Sequence, residues 1–412
     1  MSETATSSGD GLPPRVGAAV IGLGGAVATT AVAGVELLKL GISGTAGLPL
    51  AHREDLVAYE SLVFGGWDLN DDDLAKAAHV HRVLEPTQIE AVGIALQQIE
   101  PWPAVADPAY CRNAVGANVL PVGSLRERVA QIRSDLRRFR AAHQLDVVVV
   151  VNLASTEAWP DRTSAVLGDL DSFEKGLDAD DPVITPGMIY AYAAIREGCP
   201  YLNFTPSLGA DVPALLALAE RECVPVAGKD GKTGQTMIKT VLAPAFRSRA
   251  LKVDGWYSTN ILGNRDGQIL DDPSSLASKL DTKGSVLDSI LGYAVDDHIV
   301  RIDYYRPRGD AKEAWDNIDL VGFLGQRMQL KVNFLCRDSI LAAPLVLELV
   351  RLLAEAHRRG EGGPQEQLGY FFKAPMTRDG KVPEHALHTQ ERILLDWLDG
   401  SGLDGTGLDG TG

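Results

Sequence analysis

Val16-Gly17-Ala18-Ala19-Val20-Ile21-Gly22-Leu23-Gly24-Gly25-Ala26-Val27-Ala28-Thr29-Thr30 reads as a short apolar strand, a glycine-rich turn and the opening of a helix of small residues. The helix runs to about Leu40 and stops at Gly41. Glycines at such a turn let the backbone approach a pyrophosphate, which rests on the positive N-terminal end of the helix. The spacing is G-x-G-G, with Val27 where a complete G-x-G-x-x-G carries its last glycine. Alone, the motif fits a plain strand–helix turn as well as a dinucleotide site. Farther on, Ser61–Phe64 leads through Gly65-Gly66-Trp67 to Asp68-Leu69-Asn70. That is a strand ending in a carboxylate, the usual partner of an adenosine ribose hydroxyl. It comes later than the usual spacing, so Ile42–Tyr59 reads as an insertion. The acidic run Asp68–Asp73 reads equally as a helix N-terminus with acids complementing the dipole. It is not a calcium loop, because the sixth position is Asp73 and not glycine. His79 and His81 follow in a polar helix and read as surface residues.

Outward from this unit the pattern repeats. Leu125–His143 is an amphipathic helix, and Asp146–Val151 is a strand of nearly pure valine, typical of a parallel sheet covered on both faces. The strand ends at Asn152, and Ser155-Thr156-Glu157 lie at its carboxyl edge, where ligands bind in such sheets. Thr185-Pro186 opens a helix through Ile195; Tyr201–Phe204 and Val224–Ala227 are further strands. Strand and helix alternate up to residue 240, which predicts an α/β fold with a doubly wound sheet.

The last of those strands runs into Lys229-Asp230-Gly231-Lys232-Thr233-Gly234-Gln235-Thr236-Met237-Ile238-Lys239, with a helix predicted from Thr236 to about Ala250. Two glycines sit among hydroxyl, amide and lysine side chains at the mouth of that helix. Free backbone N–H groups and nearby ammonium groups make a seat for a phosphate. The loop is not a Walker motif, and a solvated basic turn is the other reading. Beyond residue 250 the pattern changes. Val253–Thr259, His298–Tyr305 and Gln329–Phe334 alternate as strands, a helix starts at Val286, and Ser339–Ala356 is an apolar helix. Antiparallel strands flanked by lysines predict a second, α+β domain inserted into the first. A last strand, Leu368–Phe372, leads to Lys373-Ala374-Pro375-Met376, where the lysine reads as exposed.

The 412 residues suffice for two or three cores, since domains hold about 100–200 residues. A net charge of −16 speaks against a nucleic-acid or anionic-membrane partner, so an anionic substrate needs a local lysine cluster. Cys111, Cys199, Cys223 and Cys336 are scattered with no C-x-x-C pair and read as buried thiols of a reducing compartment. Residues 1–14 lack the basic and apolar regions of a targeting segment, and the tail repeats LDGTG; both ends are expected to be disordered. No run is long enough to span a bilayer.

The motifs GLGGAVATT, GWDLN, KDGKTGQT, NILGNRDG, SKLDTK, GDAK, RDSILAAPL and FFKAPM occur in this order. Together they resemble the myo-inositol-1-phosphate synthase family from about Arg15 to Leu398, in the compact length of its prokaryotic branch. The resemblance implies a Rossmann-type NAD-binding domain over residues 15–236 and 342–398. It implies an inserted catalytic and tetramerisation domain over 237–341, and a cytoplasmic homotetramer. The implied reaction cyclises glucose 6-phosphate without net redox change, with one tightly held NAD. C5 is oxidised, C6 enolises and attacks the C1 aldehyde, and C5 is reduced again.

By motif position, Lys279, Lys283, Lys312 and Lys373 correspond to the family's active-site lysines. Gly22, Gly24, Gly25, Ala26, Val27, Asp68, Leu69, Asn70, Ser155 and Thr156 fall to the cofactor. Asp230, Asn264, Asp266 and Asp338 fall to the nicotinamide side or to a nearby divalent or monovalent cation. Thr233, Gly234, Gln235 and Asn260 correspond to the positions that hold the substrate phosphate. Fixed ammonium groups suit a reaction that develops enolate and alkoxide charge. Thr233 replaces the serine of many members and keeps the hydroxyl, while Arg265 stands where others often carry asparagine. A synthase cyclising another hexose phosphate is the alternative within this chemistry; fructose 6-phosphate would give a five-membered cyclitol. An NAD-dependent dehydrogenase with net turnover, or a silent NAD-binding subunit, are alternatives of another class.

Overall fold

The computed structural model describes residues 14–111, 114–121, 123–263 and 286–400. Seven strands form one sheet: β1 (Val16–Ile21), β2 (Val63–Asp68), β3 (Trp102–Pro103), β4 (Val147–Asn152), β5 (Tyr201–Asn203), β6 (Pro225–Gly228) and β11 (Gly363–Pro364). Their order is β11-β6-β5-β4-β1-β2-β3, and every pairing is parallel. The chain goes from β1 to one side and returns to the other, so the strand order reverses between β1 and β4. Crevices at such a switch point, outside the carboxyl ends of the strands, receive ligands. The parallel sheet is as expected; the two-residue strands β3 and β11 carried no periodic signal.

Successive side chains of a strand point to opposite faces, which explains the valine run. Val147, Val149 and Val151 enter the same core as Val16, Ala18 and Val20. Val148 and Val150 join Ala19 and Ile21 in the core on the other face. Helices Ala26–Lys39, Leu74–His81, Pro86–Gln97, Asp338–Arg358 and Leu387–Leu398 supply residues to the first core. Helices Leu125–His143, Leu170–Asp178, Pro186–Arg196 and Pro213–Arg221 line the second. Between β1 and β2 the approach is close: at Gly66, φ +149°, an added Cβ would lie 2.0 Å from the Val20 carbonyl oxygen.

The second sheet contains β7 (Lys252–Leu262), β8 (Asp297–Tyr304), β9 (Ala311–Val321) and β10 (Arg327–Arg337) in the order β10-β9-β7-β8. Helix Gln235–Ser248 and the helical residues 286–291 pack with one face of it around Trp256, Phe246, Leu287 and Ile318. The expectation of antiparallel strands holds for β7–β9 and β9–β10, but β7 and β8 run parallel. Alternation along a strand reports which face is buried and says nothing about the direction of its neighbour. The segment Leu368–Phe372 is not a strand; Glu366–Phe371 forms 3-10 turns. Three aromatic rings in succession, Tyr370 to Phe372, gave a strand-like pattern, but Leu368, Gly369 and Phe371 face the core from a helical turn.

Helix Asp338–Arg358 carries the chain back to the large sheet. Its buried Glu348 accepts hydrogen bonds from the Leu50 backbone N–H and the Tyr59 hydroxyl, and pairs with Arg351 at 2.7 Å. Arg351 donates to the carbonyls of Val57 and Leu50. The insertion after the first helix is thus fastened to a helix almost 300 residues away (|i−j| up to 301). The four cysteines are free thiols; Cys199 and Cys336 are buried, whereas Cys223, expected inside, is exposed. Among the described residues no helix is long and apolar enough to cross a membrane.

Candidate active site

The turn after β1 is gripped from both sides. Gly22, φ +86°, and Leu23 donate to the Trp67 carbonyl at the end of β2. The Gly24 N–H donates to Asp68 Oδ2 at 2.8 Å. The Gly24 carbonyl lies 2.8 Å from His81 Nε2; a carbonyl only accepts, so Nε2 carries the hydrogen. His81, read from sequence as a surface residue, is therefore half-buried against the turn. A polar helix seen in isolation gives no sign of that contact. Asp68 also accepts from the Asn70 N–H through Oδ1, and Asp73 caps the next helix by accepting from the Lys76 N–H. The helix-capping role falls to Asp73, while Asp68 stands at the end of β2 against the glycine turn. The Leu69 carbonyl accepts from the Asn118 N–H.

Gly25 is the N-cap of helix Ala26–Lys39 and no side chain caps that end. The N–H groups of Ala26 and Val27 there are first-turn donors without partners inside the helix. A Cβ on Gly22 would lie 3.1 Å from the Ala154 backbone, so the turn is pressed against the exit of β4. Ser155 and the buried Thr156 follow directly. Behind them burial pushes the Glu157 carboxyl up to about 7, although the Gly187 N–H donates to it at 2.8 Å. A glycine cradle, an uncapped helix end and a carboxylate after β2 fit a dinucleotide.

The loop Lys229–Gly234 leaves β6 and lies antiparallel to the return segment at Gly231 and Phe372. Lys229 and Ala374 exchange backbone hydrogen bonds, Lys232 donates to the Phe371 carbonyl, and Lys373 donates to the Asp230 carbonyl. This pairing sets the Lys373 ammonium 2.7 Å from Asp230 Oδ1, both side chains almost fully buried. Lys373 is thus not the exposed lysine its local sequence suggested. The partner that encloses it lies 143 residues earlier in the chain.

A second pair forms across three elements. Lys312, at the start of β9, stands 3.3 Å from Asp338 Oδ2, and the Thr233 hydroxyl donates to Asp338 Oδ1 at 3.1 Å. Next to it burial raises the pKa of Asp310, whose Oδ1 accepts from Ser339 Oγ at 2.7 Å. Gly234 caps helix Gln235–Ser248 without a side-chain bond, leaving that N-terminus open. Asn260, on β7, donates to Gln235 Oε1 at 2.6 Å. Thr233, Gly234, Gln235, Asn260, Asp230, Asp338, Lys312 and Lys373 are thus linked around one loop. Lys279, Lys283, Asn264 and Asp266 lie outside the described residues. Among the described residues no group of three or more His, Cys, Asp or Glu side chains forms a metal site.

Lys232 points away from the seat to Gln390 on the last helix, beside Tyr370. Burial pushes its pKa from 10.5 down to about 7. Between those values the unfolded chain holds a proton that the folded chain has released, so stability rises with pH across that window and is lost as pH falls toward 7. The melting temperature of the natural protein should therefore climb relative to Lys232→Met between pH 7 and pH 9, in paired thermal unfolding curves. Parallel curves would show that the ammonium is not desolvated.

The family model described as myo-inositol-1-phosphate synthase matches residues 45–399. An inositol-3-phosphate synthase of Bacteroides thetaiotaomicron is 42% identical over 403 residues, 92% of this chain and 94% of that protein. The rat inositol-3-phosphate synthase is 34% identical over 87% of this chain and 68% of its own length. The crystal structure of inositol-3-phosphate synthase from Caenorhabditis elegans superposes with a TM-score of 0.88 at 27% identity, covering 97% of this chain and 90% of that one. A related protein of known structure from Thermotoga maritima gives a TM-score of 0.76 at 25% identity, over 93% and 98% of the two chains. On this match of sequence and framework, the chain belongs to the myo-inositol-1-phosphate synthase family.

Proposed function

We propose that the protein is an isomerase that cyclises glucose 6-phosphate to myo-inositol 1-phosphate, the compound also numbered as the 3-phosphate, with no net redox change. The observation that carries this reading is the pairing of Lys312 with Asp338 and of Lys373 with Asp230 around the loop that opens helix Gln235–Ser248, in a chain of this family whose first strand ends in a glycine turn. NAD, when bound, supplies a hydride acceptor and donor for C5 of the sugar. Thr233, Gly234, Gln235 and Asn260 hold the phosphate at the open end of helix Gln235–Ser248. Lys312 and Lys373, with Lys279 and Lys283, stabilise the oxygens that turn negative as C6 loses its proton and bonds to C1. One of these lysines relays the proton of the C5 hydroxyl. An ion-paired lysine suits the task, because an ammonium has three donors and Asp230 or Asp338 fixes its direction. A cation belongs to the same reading, and Asp230 and Asp338 are the carboxylates that would hold it.

A homotetramer is the assembly this reading implies. Its support is the open face of the second sheet, where Tyr257, Ile299, Trp315 and Leu335 share one side by register. Ile299 and Leu335 are 45% and 60% exposed there. The four free thiols support the cytoplasm as the compartment.

The test is product analysis. With catalytic NAD, glucose 6-phosphate should yield inositol phosphate by phosphorus and proton NMR, while NADH absorbance stays near baseline. Stoichiometric NADH would point to a dehydrogenase, and faster conversion of fructose 6-phosphate would move the assignment to a five-membered cyclitol.

A further inference from the structure

Beneath the phosphate seat lies a carboxylate that no motif singled out. Asp316, on β9, is fully buried. Its Oδ1 accepts from Trp256 Nε1 at 2.7 Å and from Ser258 Oγ at 2.6 Å. Its Oδ2 accepts from Gln235 Nε2 at 3.1 Å. Trp256 and Ser258 belong to β7, and Gln235 is the first residue of the helix that opens on the seat. One carboxylate therefore ties together two strands and the helix end. The sequence carried a signal for it: the alternation of β9 puts Asp316 on the inward face with Ala314, Ile318 and Leu320. An inward-pointing charge in a sheet is rare unless it is paired.

We propose that Asp316 is a positioning residue that sets the donor direction of the phosphate seat. A carboxylate accepts hydrogen bonds and donates none. Gln235 must therefore turn its NH2 group to Asp316, with a further contact to the Thr259 carbonyl at 3.4 Å. That leaves only Oε1 of Gln235 facing Asn260, so Asn260 must present its NH2 group, as its 2.6 Å bond to Oε1 requires. The chain of donation runs Asn260 to Gln235 to Asp316, and its direction is dictated at the buried end. The second Nδ2 hydrogen of Asn260 remains for a phosphate oxygen. The same clamp holds Gln235 against the sheet and so fixes the backbone N–H groups that follow Gly234. A phosphate dianion accepts only, so a seat to which Asn260 presents its NH2 group binds it; a seat free to flip presents the Asn260 carbonyl oxygen part of the time.

The inference rests on Gln235 and Asn260 holding the substrate phosphate, and the experiment separates the two. Asp316→Asn keeps the volume and the acceptor for Trp256 and Ser258, but can also donate to Gln235 and reverse the chain. It should raise KM for glucose 6-phosphate about tenfold while kcat changes less than about threefold. The inhibition constant of inorganic phosphate should rise by the same factor, and the Kd for NAD should stay unchanged. Once Gln235→Ala is present, adding Asp316→Asn should leave KM where it is, which loss of fold stability would not produce. Ser258→Ala, which loosens Asp316 without touching Gln235, should raise KM by about threefold and serves if Asp316→Asn fails to fold. If Gln235→Ala and Asn260→Ala leave KM unchanged, the phosphate seat itself is misassigned and the proposal falls with it. If they raise KM and Asp316→Asn does not, or if Asp316→Asn lowers kcat alone, the seat stands and the positioning role is overturned.

Discussion

Lys373→Ala should abolish most turnover, lowering kcat by about 10²–10³ or more, the usual consequence of losing one preorganised donor to developing charge. The ammonium it removes is held 2.7 Å from Asp230 by the pairing of the phosphate loop with the return segment. The substitution also breaks the buried pair of Lys373 with Asp230, and breaking such a pair from one side costs about 3–5 kcal/mol. The variant should therefore melt lower as well as react more slowly, unlike the removal of an exposed lysine, which would cost at most about 0.5 kcal/mol. Lys373→Met combined with Asp230→Asn removes both charges and should recover most of the stability but none of the turnover. Activity must be expressed per folded protein, quantified by circular dichroism and NAD binding. Near-normal turnover in either well-folded variant would remove Lys373 from the chemistry and leave it a loop clamp.

Gly24→Val should weaken NAD binding by at least about a hundredfold, or about 2.7 kcal/mol. A Cβ at this position would already meet Asp68 Oδ2 at 3.2 Å and its carboxyl carbon at 3.3 Å. The branched carbons would push aside the carboxylate that holds the Gly24 N–H and fill the approach of the pyrophosphate. Overpacking costs about 1–3 kcal/mol, and a lost hydrogen bond to a charged group about 1.5–3. Gly34→Ala is the control: it lies in the helix that follows the turn, and nothing stands within 4 Å of its added Cβ. That variant should bind NAD normally and fold at least as stably as the parent. Equal affinity of Gly24→Val and the natural protein, by isothermal titration calorimetry, would make the turn a structural element only.

Where a residue's role depends on its neighbours along the chain, the sequence was legible. The valine run had to be a strand buried on both faces, and the glycines had to be a strand–helix turn. Roles that depend on distant neighbours were not. Nothing near Lys373 announces Asp230, and nothing near His81 announces the Gly24 carbonyl. The parallel pairing of β7 with β8 likewise depends on the path between them, not on their composition. Asp316 lies between these cases. Its inward position follows from alternation, but its hydrogen-bonding partners required β7 and the helix end to be in place.

The fastening of Glu348 and Arg351 to residues 50–59 also sets an order of events during synthesis. Multidomain chains generally fold their N-terminal part first as it leaves the ribosome. Here helix Asp338–Arg358 supplies Val346, Leu349, Val350 and Leu353 to the core that includes β1 and its following helix. A nascent chain of 236 residues has made β1 to β6 yet leaves one side of that sheet short of its covering helix. The gap persists while about a hundred further residues emerge, so contacts of long sequence separation complete the first core last. For a chain carrying a large apolar sheet face in that interval, the hazard is aggregation during translation rather than instability of the finished protein.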